Sequence, residues 1–586
     1  MPMMYTPSQY WGFKFKVIPE LTAKGKKAFL KSRKWSMISS DWDHQSVSTI
    51  IIQMVEFTNE WLDSRGMVGG DLETTTVSEV IATLRDPADP LQAAHRFPLL
   101  LTLDEQHVEF ICAVILQFNI SLSKLLYVIE PRNFEVPRTV GNIVSRHKSF
   151  VLLSLKLSLL SKLIENTYVD KISPTVRLNR QEAVTKRIPY DEAEAIKNSI
   201  FLQMYRQLKD VNPERFRQED QSWTVKFVNE GAEDAGGPYR ESLVLLCAEL
   251  QSPLLPLFIQ CPNAKEGTGE NRDKYIPNPD CADPSFLQMY FFIGKLMGIA
   301  VRTKTVLDLD LSSFIWKPLV GEEPTVADLD AIDMNFVQFG IRSLENPEAA
   351  GITKESFSSV IFNTFVATSA SGREVPLLEN GASIPVTWEN RLTYAKLALD
   401  YRLHECDKQI EALRRGMYEI IPPYIITLFS WRELEHRTCG KTDVDVELLR
   451  KNTIYRGLGA SSPTITKFWK VFQSFTSEER CAFLRFVWGR SRLPASSAEF
   501  ERKFEIHAFE RHIVDGEVLS PDRFLPQAHT CFFSVEMPDY STEEVMKKRI
   551  LYAITECVVI DTDYNPMEEY DDEDDYSSDN SSDTEY

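Results

Sequence analysis

Apolar positions recur at two different spacings along this chain, and the spacing changes where the architecture should change. Residues 9–19, QYWGFKFKVIP, alternate aromatic or aliphatic with polar side chains and predict a strand. A single strand cannot bury its face alone, so residues 1–47 read as the end of an upstream β domain. From Ser48 the spacing becomes helical. Ile51, Val55, Phe57 and Trp61 mark one helix, and Leu152, Leu155, Leu159 and Leu163 another. Gly69-Gly70, Pro87, Pro90 and Pro131 break the segments between them. Residues 48–165 are therefore expected to be a helical region, and the polar residues 166–190 a linker.

A mixed segment follows over 191–452. Helical stretches (Ala193–Leu208, Ser285–Val301, Thr393–Arg415) alternate with short strand-like runs such as Trp223–Val228. Residues 453–462, TIYRGLGASS, lie between two patterned blocks and read as a hinge. Residues 463–557 suffice for one small α/β unit. Beyond them, 558–586 are dense in charge and poor in apolar side chains, which predicts a disordered acidic tail. The expected class is α+β.

Composition narrows the function. The chain has 586 residues, 43% hydrophobic and 26% charged, with a net charge of −20. Twelve carboxylates fall in the last 26 residues, which leaves the body near −8. A nucleic acid is a poor partner for such a surface, because phosphate neutralisation needs a basic face. The nine cysteines lack zinc-knuckle spacing and fit free thiols in a reducing, cytoplasmic setting. Met1–Lys16 lacks the form of a secretory leader. The most apolar runs considered, Leu99–Phe118 and Val151–Ile164, are interrupted by charges, so no integral membrane contact is expected.

Several enzyme classes fail on spacing. Gly440-Lys441-Thr442 ends like a phosphate loop, but Glu435 stands where the first glycine belongs. Gly231, Gly236 and Gly237 do not make a dinucleotide fingerprint, and Gly489–Leu493 lacks the second glycine of a nucleophile elbow. No HExxH, CxxC or EF-hand loop is present, and neither metal nor organic cofactor is expected. What stands out is Leu525–Phe533, LPQAHTCFF, where Cys531 follows a proline turn between a polar pair and an aromatic pair. A thiol there is either a buried structural cysteine or a nucleophile, and the residues alone leave both open.

LPQAHTCFFSVEMPDYS, Leu525–Ser541, resembles the catalytic-cysteine segment of HECT-type ubiquitin ligases, with Met537 replacing a leucine of the family pattern. Further segments resemble the family in its own order: Phe227–Glu241, Tyr275–Pro279, Tyr290–Ala300, Val386–Asn390, Phe468-Trp469, Gly489 and Ser491–Pro494. In Tyr290–Ala300 the glycines Gly294 and Gly298 allow close packing, and Thr387 is a natural helix N-cap. Trp11–Phe15 and the terminal SDTEY are similar to the giant HERC ligases.

The resemblance implies a bilobal HECT catalytic domain. A mostly helical larger lobe (191–452) would bind a ubiquitin-conjugating enzyme through residues 345–415, and a smaller α/β lobe (463–557) would carry Cys531. Cys531 would accept ubiquitin as a thioester and pass it to a lysine of a protein substrate. His529 would tune the thiol or donate a hydrogen bond to it, and Thr530 would position it. Arg492 would meet a carboxylate or the ubiquitin tail, or else make a surface salt bridge. Cys481 and Cys557 read as core thiols. The family's C-terminal aromatic has no counterpart here, since an acidic extension follows Cys557. The rival readings are a catalytically silent scaffold that uses the helical region, and a deubiquitinase or thiol protease, which would need a positioned His and Asn or Asp.

Overall fold

The computed structural model describes residues 44–65, 67, 71–86, 97–130, 133–134, 136–169, 173–185, 196–218, 221–229, 237–440, 444–488, 492–494, 497, 500, 502–509, 513–514, 517–529 and 532–556. The strand expected over 9–19 and the acidic end, 558–586, lie outside them. Within the helical region, α1 (His44–Ser64) buries Ile51, Met54, Val55, Phe57, Trp61 and Leu62 along one stripe. The Trp61 indole N–H donates to Thr83 Oγ1 at 3.0 Å, so the largest side chain of that stripe is polar-satisfied. The helix α2 (Glu105–Ser123) starts at Asp104, whose carboxylate accepts from the His107 N–H. Its buried Asn119 donates to the carbonyls of Ile115 and Phe150 and accepts from the Leu152 N–H. That amide ties α2 to the start of α3 (Leu153–Thr167), which buries Leu155, Leu159, Leu160 and Leu163.

These helices do not form a core of their own. One apolar cluster runs from Ile50 to Cys439, because α3 docks on the segment that follows it in sequence. Lys156, 2% exposed, pairs with Glu433 at 2.7 Å. Arg302 donates to Thr167 Oγ1 and to the Ile164 carbonyl. The expected linker, 166–190, contains β1 (Thr175–Leu178), which pairs in parallel with β2 (Thr224–Phe227) and buries Val176 and Leu178. Four alternating residues are too few to stand out from polar surroundings; the pairing is made by a partner some fifty residues away.

The antiparallel pair β3 (Phe258–Gln260) and β4 (Tyr275–Pro277) leads into α4 (Pro284–Thr303), the centre of the large core. By length and composition α4 could cross a membrane, yet it is enclosed by protein. From Phe292 to Thr303 every residue is buried, which accounts for its apolar girth. A hairpin of β5 (Val366–Thr368) and β6 (Glu374–Pro376) precedes α5 (Arg391–His404) and α6 (Asp407–Ile420). One helix was expected over Thr393–Arg415; two form. Between them Glu405, its side chain 3% exposed, bonds to Arg402 at 2.9 Å and accepts from the Ala370 N–H. The buried Cys406 thiol donates to the Pro277 carbonyl. Thr387 does not cap α5. It exchanges hydrogen bonds with Asn390 across a turn, and Asn390 holds the cap position.

Glycine makes the crossing of α4 and α6 possible. A Cβ at Gly294 would lie 2.7 Å from the Leu413 carbonyl carbon, and one at Gly416 2.9 Å from the Lys295 nitrogen. The two backbones touch there, with no room for a side chain between them. A separate apolar cluster from Ile341 to Ala398, with Leu344, Phe357, Phe365 and Tyr394, sits beside the large core.

The last cluster starts at Val444 and ends at Ile550. It fills the space beneath a four-stranded sheet: β7 (Thr453–Arg456), β8 (Phe504–Ala508), β11 (Gln527–His529) and β12 (Ser534–Met537), in the order β11-β12-β8-β7. Two residue pairs, β9 (Ile513–Val514) and β10 (Glu517–Val518), form a short hairpin beside it. The helices α7 (Pro463–Gln473), α8 (Ser477–Trp488) and α9 (Glu543–Glu556) belong to this unit. The hinge expected at 453–462 therefore does not separate the cores. Thr453–Arg456 is a sheet strand parallel to Phe504–His507, and Gly457, at φ +70°, turns the chain from that strand toward α7. The chain leaves the large core at Cys439 and enters the small one at Val444. At the junction stands Gly440, at φ +73°, where a Cβ would meet the Leu493 carbonyl oxygen at 2.6 Å.

Candidate active site

The hairpin β11–β12 locates the cysteine loop. Ala528 pairs with Val535 and His529 with Ser534, so residues 530–533 connect the strands. Thr530 and Cys531 lie outside the described residues. On the far side of the loop, Phe533 is fully buried and has φ +49°, a left-handed conformation costly for a residue with a Cβ. Its ring stacks on Trp488 at 4.1 Å and lies 5.0 Å from Phe504, and this packing holds the backbone there. The sequence sets Phe532 and Phe533 side by side as an aromatic pair after Cys531. Only Phe533 packs inward: Phe532 is 62% exposed, with the Arg502 guanidinium 5.6 Å from its ring, and the strand begins at Ser534.

Below the hairpin, Tyr540 is buried and donates to the Phe524 carbonyl at 3.0 Å, closing the segment that contains the loop. Asp539 accepts from Thr464 Oγ1 at 2.6 Å and from Lys467 at 3.1 Å, which staples the strand end to the first turn of α7. The Thr464 hydrogen bond, joined by Lys467 against the cost of partial burial, holds the Asp539 carboxyl below its ordinary value.

His529 sits on β11, 44% exposed, with Nε2 at 3.1 Å from Glu536 Oε1 on β12. Arg492 is neither a surface ion pair nor available to a peptide tail. It is 3% exposed and pairs with Asp308, at 3.3 Å, and with Asp310. Both carboxylates belong to the large-core side. Their run, Leu307–Leu311, buries its three leucines and sends the alternate aspartates to one face. That period of two in LDLDL was the available signal for the pair, and sequence reasoning passed over it. The Glu536 partner of His529 left no local signal, since it depends on strand register.

Seven cysteines fall among the described residues, all of them free. Cys112, Cys247, Cys261, Cys281, Cys406 and Cys439 are buried, and Cys481 is half-buried. Burial pushes each thiol up, to about 12 for Cys112 and Cys439 and about 11 for Cys281. None of the seven is set as a ready nucleophile. Cys557, Gly236, Gly489 and Ser491 lie outside the described residues. Gly237 opens the helix Gly237–Leu250. Among the described residues no group of His, Cys, Asp or Glu is arranged to hold a metal ion.

A family profile described as HECT-domain (ubiquitin-transferase) matches residues 244–560. The chain is 40% identical over 366 residues to E3 ubiquitin-protein ligase HERC2 of Homo sapiens, covering 62% of this chain and 7% of that protein. It is 28% identical over 504 residues to Probable E3 ubiquitin-protein ligase HECTD4 of Homo sapiens, covering 80% of this chain and 12% of that protein. Against E3 ubiquitin-protein ligase HUWE1 of Mus musculus the identity is 31% over 369 residues, 62% of this chain and 8% of that protein. The chain thus spans a small fraction of the length of these relatives.

Proposed function

Because the chain belongs to the HECT-domain family, we propose that it is the catalytic part of a ubiquitin-protein ligase, with Cys531 as the residue that carries ubiquitin. The observation that carries this reading is the hairpin loop. Cys531 falls between His529 and Phe533, both anchored, whereas the seven described cysteines are raised by burial.

The chemistry is two acyl transfers. The Cys531 thiolate attacks the thioester that joins ubiquitin to a conjugating enzyme, and a substrate lysine amine then attacks the new thioester. Exchanging one thioester for another is nearly isoenergetic, so the first step needs proximity more than a strong base.

In this reading the two large apolar clusters are the two lobes, and the chain passes from one to the other between Cys439 and Val444. The cluster from Ile341 to Ala398 is the docking site for the conjugating enzyme, with Phe339 (70% exposed) and Phe362 (79% exposed) as its free apolar groups. Ubiquitin, the conjugating enzyme and protein substrates are the partners.

The test is reconstitution with activating enzyme, conjugating enzyme, ubiquitin and ATP, read on non-reducing gels. A band one ubiquitin heavier, removed by thiol reductant, is expected from the wild type and lost in Cys531→Ala. Cys531→Ser should trap a slower, reductant-resistant oxyester. Persistence of the labile band in Cys531→Ala would overturn the assignment. Cleavage of ubiquitin esters without loading would favour a hydrolase.

A further inference from the structure

Five exposed large apolar side chains, Leu125, Tyr127, Val128, Val136 and Ile143, fall close together in the helical region, and Tyr127 is 77% exposed. They are held from below. The Lys162 ammonium donates to the Tyr127 carbonyl at 3.5 Å and the Ile129 carbonyl at 3.2 Å, and pairs with Glu130 at 3.4 Å. Thr139 Oγ1 donates to the Asn133 and Val136 carbonyls, and the Asn142 side-chain amide to the Phe134 carbonyl. A Cβ at Gly141 would lie 2.8 Å from the Phe134 ring and 3.5 Å from the Glu130 carbonyl oxygen, so the turn Leu126–Val128 and the helix Val140–Arg146 belong to one knot of chain. Ile129, Phe134 and Val144, interleaved with the five, are buried in the large core, where Phe134 meets Tyr424 edge-on. With those three anchored, the five cannot turn inward, and an apolar face fixed in this way marks a contact site.

Charge selects the occupant. Residues 124–146 carry four basic and two acidic side chains. Lys124 is paired with Glu73, but Arg138 and Arg146 are exposed and make no ion pair among the described residues. The chain itself contains the complement. Residues 558–570, VVIDTDYNPMEEY, intersperse aliphatic and aromatic side chains with four carboxylates and no base. The exposed Phe339 and Phe362 match that segment poorly, because residues 339–389 hold six acidic and three basic side chains. Reach is no obstacle. Residues 557–570 span up to about 50 Å when extended, about twice the radius of gyration of a compact chain of this length.

We propose that residues 558–570 dock within the same chain on the face formed by Leu125, Tyr127, Val128, Val136 and Ile143, with their carboxylates on Arg138 and Arg146. Attachment to the same chain raises their effective concentration at the face. Because α9 belongs to the small core and the face to the large one, the docked segment straps the two together.

The test uses the full chain with benzoylphenylalanine, a photo-crosslinking residue, in place of Tyr564. After irradiation and digestion, mass spectrometry should map crosslinks to residues 125–146. Arg138→Glu combined with Arg146→Glu should cut their yield about fivefold, and Tyr127→Ser combined with Val128→Ser by a similar factor. All four side chains are exposed, so both variants should melt with the wild type. Should either melt low, the wild-type map decides alone. Raising salt from about 0.05 M to about 0.5 M should lower the wild-type yield and leave the charge-reversed variant no lower than before. Crosslinks that map elsewhere or fail to form would overturn the proposal, as would a yield indifferent to all four substitutions. Crosslinks joining heavy and light chains in an isotopically mixed sample would also overturn it, since they place the segment on a second copy.

Discussion

Replacing Gly294 with alanine tests the crossing on which the large core is built. The added Cβ would sit 2.7 Å from the Leu413 carbonyl carbon and 3.0 Å from Leu413 Cα. Ordinary carbon–carbon contact is about 3.5–4.0 Å, so α4 and α6 would have to part by close to 1 Å. The obstacle is backbone, which has no rotamer to escape into. A gap of that size forfeits about a quarter to a half of each dispersion well along the seam. Leu413, Met417 and Ile420 line the seam, all buried. The cost should lie at the upper end of overpacking penalties, about 3 kcal/mol. Gly298→Ala is milder: its Cβ would meet the Ile420 side chain at 2.8 Å and the Met417 oxygen at 3.0 Å. Gly459→Ala meets nothing within 4 Å and should be neutral. Urea denaturation followed by circular dichroism should rank the midpoints Gly459→Ala, then Gly298→Ala, then Gly294→Ala lowest. A Gly294→Ala midpoint equal to that of Gly459→Ala would refute the close crossing.

Three further outcomes follow from the same contacts. Arg492→Met removes the guanidinium shared by Asp308 and Asp310. With both aspartates about a third exposed, the loss should be about 1–3 kcal/mol, below the full cost of breaking a buried pair, and limited proteolysis near residues 440–443 should speed up. Unchanged cleavage would mean the pair does not hold the two cores together. For Asp539, the folded pKa is depressed below its ordinary 3.8, so its contribution is full above that value and is lost as pH falls through the folded pKa. Asp539→Asn should melt below wild type near neutral pH and converge with it in acid; a gap that stays constant into acid would contradict this. Lys156→Met leaves Glu433 partly buried without its cation and should weaken docking of the helical region, by about 1–3 kcal/mol in thermal or urea unfolding. A stability equal to wild type would refute that.

Periodicity alone was enough for elements whose burial is one-sided and long. The stripes at Ile51–Trp61 and Leu152–Leu163 are visible in the residue order, because side-chain period is a local property, whereas the glycines of α4 and the segment around Cys531 stood out through their resemblance to a family pattern. What residue order could not settle depended on partners distant in sequence. Residues 175–178 became a strand because 224–227 lay beside them. The helix over Thr393–Arg415 broke because Glu405 found a buried arginine and an amide. The passage from one apolar cluster to the other falls between Cys439 and Val444, and not at 453–462, because Thr453–Arg456 was claimed by the sheet through Phe504–Ala508. Arg492 turned inward because two aspartates of another core met it there, and His529, opposite Ser534, acquired Glu536 as a diagonal neighbour only once the register of β11 and β12 was set. Most of these are energies of pairing between segments dozens to hundreds of residues apart, and such energies exist only in the folded chain.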